Sequence, residues 1–88
     1  MISVAITLGD PRGVGPEVTE VAVRRFRDER PEVRLVLVGP CECDTALASY
    51  HEIGHWDGSE AGAGRVAGAA IQAAVQLALS GEVHALVT

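Results

Sequence analysis

Two short stretches of this sequence carry residue types that do chemistry. The first is Gly9-Asp10-Pro11-Arg12-Gly13-Val14-Gly15-Pro16-Glu17. Glycines at this density permit tight turns and let a ligand come close to backbone N–H groups. A helix that follows presents the positive end of its dipole to an anion, although Pro16 removes one donor. The spacing is neither the dinucleotide fingerprint G-x-G-x-x-G nor a P-loop, which needs a Lys-Ser/Thr pair. By spacing alone, a tight strand-to-helix turn and a nucleotide or phosphate cradle describe this loop equally well.

The second stretch is His51-Glu52-Ile53-Gly54-His55. On a helix, H-E-x-x-H puts two imidazoles on one face to hold zinc, with the Glu placed to activate a metal-bound water. Gly58 fits the longer metalloprotease pattern, but its third ligand position holds Ala61 and no methionine follows Met1. Gly54 and Asp57-Gly58 also disfavour a long helix. The plainer reading is a short helix ending near Gly54 with both histidines exposed. A small zinc site or peptidase at His51–His55 is the alternative. Cys41 and Cys43 stand too close for an ordinary disulfide and supply at most half a zinc site, so both are read as reduced thiols. His84 lies in an apolar run and reads as a hydrogen-bonded structural residue. Trp56 reads as a partly exposed cap over the core.

The elements that position these residues follow from hydrophobic periodicity. Ile2 to Leu8 is an apolar, β-branched run that reads as a buried strand feeding the glycine loop. From Pro16, the positions Val18, Val21, Ala22 and Phe26 make one apolar helical stripe, and Pro31 ends that helix. Val33 to Val38, stopped by Gly39-Pro40, is a second strand, so the chain opens as a βαβ unit with parallel strands. Asp44 caps a predicted short helix through Leu47 and Tyr50, and Trp56 to Gly64 reads as a loop. Arg65 to Leu79 is the clearest helix, stopped by Ser80-Gly81, and Val83 to Val87 is a third strand.

Composition narrows the classes. The 88 residues are 48% hydrophobic with one Phe, one Tyr and one Trp, so Val, Leu, Ile and Ala must build the core, as in a sheet covered by helices. The net charge is −5 and all seven basic residues are Arg. Five of these lie between Arg24 and Arg34 among Asp28, Glu29 and Glu32, a charge-mixed solvated face that argues against nucleic acid. No apolar run has membrane-spanning length and no leader precedes Ile2, which predicts a cytoplasmic protein without a membrane partner.

The string Ile6-Thr-Leu-Gly-Asp-Pro-Arg-Gly-Val-Gly-Pro-Glu-Val18 resembles the N-terminal signature of the 4-hydroxythreonine-4-phosphate dehydrogenase family of pyridoxine and pyridoxal phosphate biosynthesis. That family commonly has Ala in place of Arg12. Gly64-Arg65, the Ala-rich helix and Leu79-Ser-Gly-Glu-Val-His-Ala-Leu-Val-Thr88 match it a second time, in order. The resemblance implies an α/β fold like that of isocitrate and isopropylmalate dehydrogenases, a three-layer αβα arrangement of which residues 1–88 form an incomplete single domain. It implies oxidation of a phosphorylated hydroxy amino acid by NAD, then decarboxylation, with a divalent metal (zinc, magnesium or cobalt) and a homodimer. By the same resemblance Gly9, Asp10, Gly13 and Gly15 line the cofactor cleft. The family's metal-binding histidines and its lysine correspond to positions beyond Thr88, and this sequence contains no lysine. The Gly39–Gly64 stretch is shorter than the family's. These departures lead to the expectation of a chain inactive alone, with exposed helix faces and a free sheet edge that favour self-association or partial disorder.

Overall fold

The computed structural model describes residues 1–13 and 15–88; Val14, a member of the glycine loop, lies outside the described residues. The elements run β1 (Ser3–Thr7), α1 (Gly15–Glu29), β2 (Arg34–Gly39), a 3-10 turn (Cys41–Cys43), β3 (Ser49–Glu52), α2 (Glu60–Leu79) and β4 (Ala85–Val87). The four strands form a parallel sheet in the order β3-β2-β1-β4. Ala5 pairs with Val36 on one side and Leu86 on the other, so β1 is the central strand.

The order explains the layers. From β1 to β2 the chain moves one way across the sheet, and from β3 to β4 it moves back past β1. Right-handed crossovers in opposite directions place their helices on opposite faces. Two separate cores result, one on each face. Val23 of α1 packs with Leu35 and Leu37, with Val4 and Ile6 beside them. Ala70 and Ala74 of α2 pack with Ala5, Val36, Val38 and Val83. The alternation along β1 and β2 is that of a sheet buried on both sides. The structure therefore has the expected three-layer α/β arrangement with a βαβ opening.

Four local expectations fail. Residues 44–50 form no helix, and Ser49–Glu52 is a strand, so the sheet has four strands rather than three. This edge strand is four residues of mostly exposed polar side chains and gives little periodic signal. It is held through Tyr50, whose hydroxyl donates to the Pro40 carbonyl at 2.8 Å. Second, α2 begins at Glu60, five residues before Arg65. Ser59 caps it by accepting from the Gly62 N–H at 2.9 Å, while Asp57 accepts from both the backbone and hydroxyl of Ser59. Third, the stripe Val18, Val21, Ala22, Phe26 faces outward, and Val23 is the buried residue of α1. Fourth, the last strand is shorter than Val83–Val87. His84 nevertheless extends the pairing: its N–H donates to the Ser3 carbonyl and its Nδ1 accepts from the Ser3 N–H at 3.0 Å. The Ser80-Gly81 stop is as expected, with Gly81 at φ +81° and the Gly81 and Glu82 N–H groups returning to the Ala78 and Leu77 carbonyls.

Candidate functional site

Strand order in a parallel sheet marks where a ligand has room. Between β1 and β4 the direction of progression reverses, and crevices form at the carboxyl ends of strands at such a point. Leu8 closes β1 by donating its N–H to the Val38 carbonyl, and the glycine loop starts immediately after it. Gly9, Asp10, Gly13 and Gly15 are thus brought together at this end of the central strand.

Each of these residues has a local structural reason. Gly9 sits at φ +76°, which an L side chain rarely adopts, with open space where a Cβ would lie. Gly15 is not in that region; a Cβ there would stand 2.5 Å from the Leu8 carbonyl oxygen, so the helix start could not close on the strand end. Gly13 donates its N–H to the Asp10 carbonyl at 3.0 Å and turns the chain.

The chemistry of the loop is dominated by Asp10 and Arg12. The Arg12 backbone N–H donates to Asp10 Oδ1 at 2.9 Å, closing a turn, and the guanidinium returns to both carboxylate oxygens, with Nη2 at 2.5 Å from Oδ2. Arg12 Nη1 also stands 3.4 Å from Glu60 Oε1 at the first residue of α2. The side-chain hydrogen bonds from Arg12 hold the Asp10 carboxyl down to about 2. Arg12, where the resembled family commonly has Ala, therefore links the starts of both helices through two carboxylates. The sequence reading assigned Arg12 no role; the Asp-x-Arg spacing of a side-chain-closed turn was the available signal.

A second group occupies the carboxyl ends of β2 and β3. Glu42 accepts from the Trp56 N–H at 2.7 Å and contacts His55 Nδ1 at 2.9 Å, and these two bonds lower its pKa. The Cys41 thiol donates to Glu52 at 2.9 Å, which raises the thiol's pKa and keeps it protonated. Cys43 is also pushed up, chiefly by burial. Both cysteines are free thiols. Trp56, half-buried, donates its indole N–H to the Ser59 carbonyl at 2.9 Å. Because His51 lies on β3 and Gly54 turns the chain at φ +116°, the one-face helical geometry required for H-E-x-x-H is not formed. Among the described residues no group of three or more His, Cys, Asp or Glu side chains is placed to hold a metal ion. The divalent metal implied by the family resemblance does not fit these residues.

The clefts add two facts. One of about 320 Å³ lies beside the loop, between the first turns of α1 and the 3-10 turn, and includes Glu17, Glu20, Glu42 and Asp44. A larger one, about 670 Å³, lies at the opposite end of the sheet among Arg24, Arg27 and Arg34. Two of its three arginines are already engaged. Arg24 pairs with Glu20, Arg27 donates to the Leu47 carbonyl, and Asp28 shares the wall. This is the charge-mixed solvated face expected from the sequence. Among the described residues no helix is long and apolar enough to cross a membrane.

Comparison with known proteins gives one point of contact. The chain is 29% identical to a Cutibacterium acnes protein named "Putative D-threonate 4-phosphate dehydrogenase", over 94% of this chain and 33% of that protein. The chain thus spans about a third of the length of the curated relative it matches. The alignment extends over 115 residues, more than the 88 here, so the relative carries additional residues inside the matched span. No protein-family model matches, and no solved structure matches. The relationship is to a protein named as a dehydrogenase, and that name differs from the 4-hydroxythreonine-4-phosphate dehydrogenase family that the N-terminal string resembles.

Proposed function

We propose that this chain forms one wall of the cofactor cleft of a dehydrogenase acting on a phosphorylated four-carbon hydroxy acid, and that it does not turn over substrate alone. The observation that carries this reading is the position of the Gly9–Gly15 loop at the carboxyl end of the central strand, beside the reversal in strand order. The two substrate names agree on most atoms. 4-Hydroxythreonine 4-phosphate and D-threonate 4-phosphate share a C1 carboxylate, a C3 hydroxyl and a C4 phosphate, and differ at C2 in an amino or hydroxyl group. Oxidation at C3 in either gives a β-keto acid, which loses CO2 readily. The pyridoxine pathway is the setting for the amino form.

When bound, NAD supplies the acceptor for the hydride leaving C3 as the hydroxyl proton departs. The part played by this chain is positional. Gly9 leaves backbone open to a ligand, Gly13 turns the loop through its bond to the Asp10 carbonyl, Gly15 keeps the helix start against Leu8, and the role of Asp10, ionised throughout the neutral range, is to accept from ribose hydroxyls once Arg12 gives way. The chain has no lysine and its described residues gather no three-ligand metal set, so orientation of the reacting hydroxyl requires groups from elsewhere.

Titration of the isotopically labelled chain with NAD, followed by amide NMR, tests this. The expected result is selective shifts at Gly9, Asp10, Gly13 and Gly15, weakened in Asp10→Asn, with no NADH absorbance when either phosphorylated acid is added. A well-dispersed spectrum indifferent to NAD would remove the cofactor reading. Steady NADH production would remove the claim that the chain is inactive alone.

A further inference from the structure

The carboxylate of Asp10 has its acceptors already taken. The Arg12 backbone N–H and Nε donate to Oδ1 at 2.9 and 3.0 Å, while Nε and Nη2 close on Oδ2 at 3.2 and 2.5 Å. An ionised carboxylate offers about four lone-pair sites, and these contacts fill them. A guanidinium fork of this kind leaves no oxygen edge for another donor. Any ligand hydroxyl that Asp10 accepts must therefore displace the Arg12 side chain.

The displaced guanidinium has a second carboxylate within reach. Arg12 Nη1 stands 3.4 Å from Glu60 Oε1, and Glu60, 90% exposed, makes no other ion pair among the described residues. Arg12 and Asp10 are themselves about two-fifths exposed, at 41% and 39%. Passing from one carboxylate to the other thus exchanges two contacts of similar and small strength. The turn survives the exchange, because the Arg12 backbone N–H stays on Oδ1 when the side chain leaves. Asp10 keeps its orientation while its partner changes.

We propose that Arg12 gates the ligand-accepting carboxylate of the glycine loop: it covers Asp10 in the free chain and passes to Glu60 as ribose hydroxyls take its place. The inference rests on the reading of this loop as a wall of the cofactor cleft. The sign of the effect separates a gate from a general contribution of charge. NAD carries a negatively charged pyrophosphate, so taking an arginine from a chain of net charge −5 disfavours binding by electrostatics alone. Taking away a gate favours it.

NAD titrations of the full chain at low salt, followed by amide NMR across a double-mutant cycle, decide it. Arg12→Ala is expected to tighten NAD about threefold, an exposed ion pair expressed as an affinity ratio. Glu60→Gln removes the second partner, so it is expected to weaken NAD about twofold in the parent and not at all beside Arg12→Ala. Arg65→Ala removes an equal charge from α2 and is expected not to tighten binding. An affinity unchanged or lowered in Arg12→Ala overturns the gate, as does Glu60→Gln acting equally in both backgrounds or an equal tightening by Arg65→Ala. In each of those cases the parent chain still binds NAD and the cofactor reading stands. Absence of NAD binding in the parent and in Arg12→Ala alike removes the cofactor reading and the gate with it, whereas binding seen in Arg12→Ala alone supports both.

Discussion

The two helices of this molecule cover opposite faces of one sheet by opposite means. α1 is rich in charge and has a well-marked apolar stripe, yet that stripe points to solvent and a single residue, Val23, is fully buried. α2 is almost without charge, has no sharply defined stripe, and packs the small residues Ala70 and Ala74 against the sheet, with Ala63 and Val66 also buried. Abundance of apolar residues therefore does not decide which side of a helix meets the sheet. Close approach does. Alanines let the axis of α2 lie near the strands, whereas α1 meets the sheet through the larger Val23 and starts tightly at Gly15 against Leu8.

The largest effect that could break this comparison lies on α1. If Val23 is its anchor, Val23→Ala removes a fully buried side chain from the cluster with Leu35 and Leu37 and destabilises the fold by about 2 kcal/mol. Val21→Ala, on the periodic stripe, is expected to change stability by less than about 0.5 kcal/mol. Urea unfolding of both variants at low concentration measures the difference. Reversal of the order would mean that the stripe, not Val23, faces the sheet.

These helices also show how far the sequence could be read. The βαβ opening, the parallel sheet and the stop at Ser80-Gly81 follow from apolar runs of the right length and from turn residues with one dominant conformation. The inward face of α1 could not be read that way. Periodicity ranks faces by hydrophobicity, and here the buried residue is Val23, which lies off the stripe. Strand β3 was illegible for a different reason. Ser49-Tyr-His-Glu52 is an edge strand whose pairing uses backbone groups and one tucked tyrosine, so its side chains carry almost no pattern. That same misreading gave His51–His55 the appearance of a helical zinc motif. At the glycine loop the candidate positions were visible, while the Asp10–Arg12–Glu60 connection was not, because Glu60 lies forty-eight residues from Arg12 in the chain.

A smaller effect sharpens the contrast at the helix starts. α2 begins with a side-chain cap, Ser59, itself braced by Asp57. Ser59→Ala should destabilise the chain by about 1 kcal/mol, since the Gly62 N–H loses its acceptor. Hydrogen exchange in the first turn of α2 should accelerate while that in α1 stays as it was. Equal acceleration in both helices would mean that they unfold as one unit and that the cap stabilises the whole domain.

The smallest expected effect concerns the link between those two starts. Asp10 precedes α1, Glu60 opens α2, and Arg12 reaches both. The Asp10 carboxyl is held at about 2 in the folded chain against an ordinary value near 3.8, so the unfolded chain takes up the proton first on acidification. Its contribution to stability is therefore complete above about pH 4 and is lost as the pH falls from there toward 2. Both side chains are well exposed, so solvent screens the pair and the contribution is small. Asp10→Asn keeps an oxygen that can accept from the Arg12 N–H but removes the titrating charge. The variant should lose less stability than the parent between pH 4 and pH 2, and the two should run parallel above pH 5. Some acid sensitivity will persist in the variant, because Glu42, Glu52 and Asp57 are lowered by their own hydrogen-bond donors. Identical acid limbs would show that Arg12 does not favour the ionised Asp10 in solution, and that the helix starts are set by Gly15 and Ser59 independently.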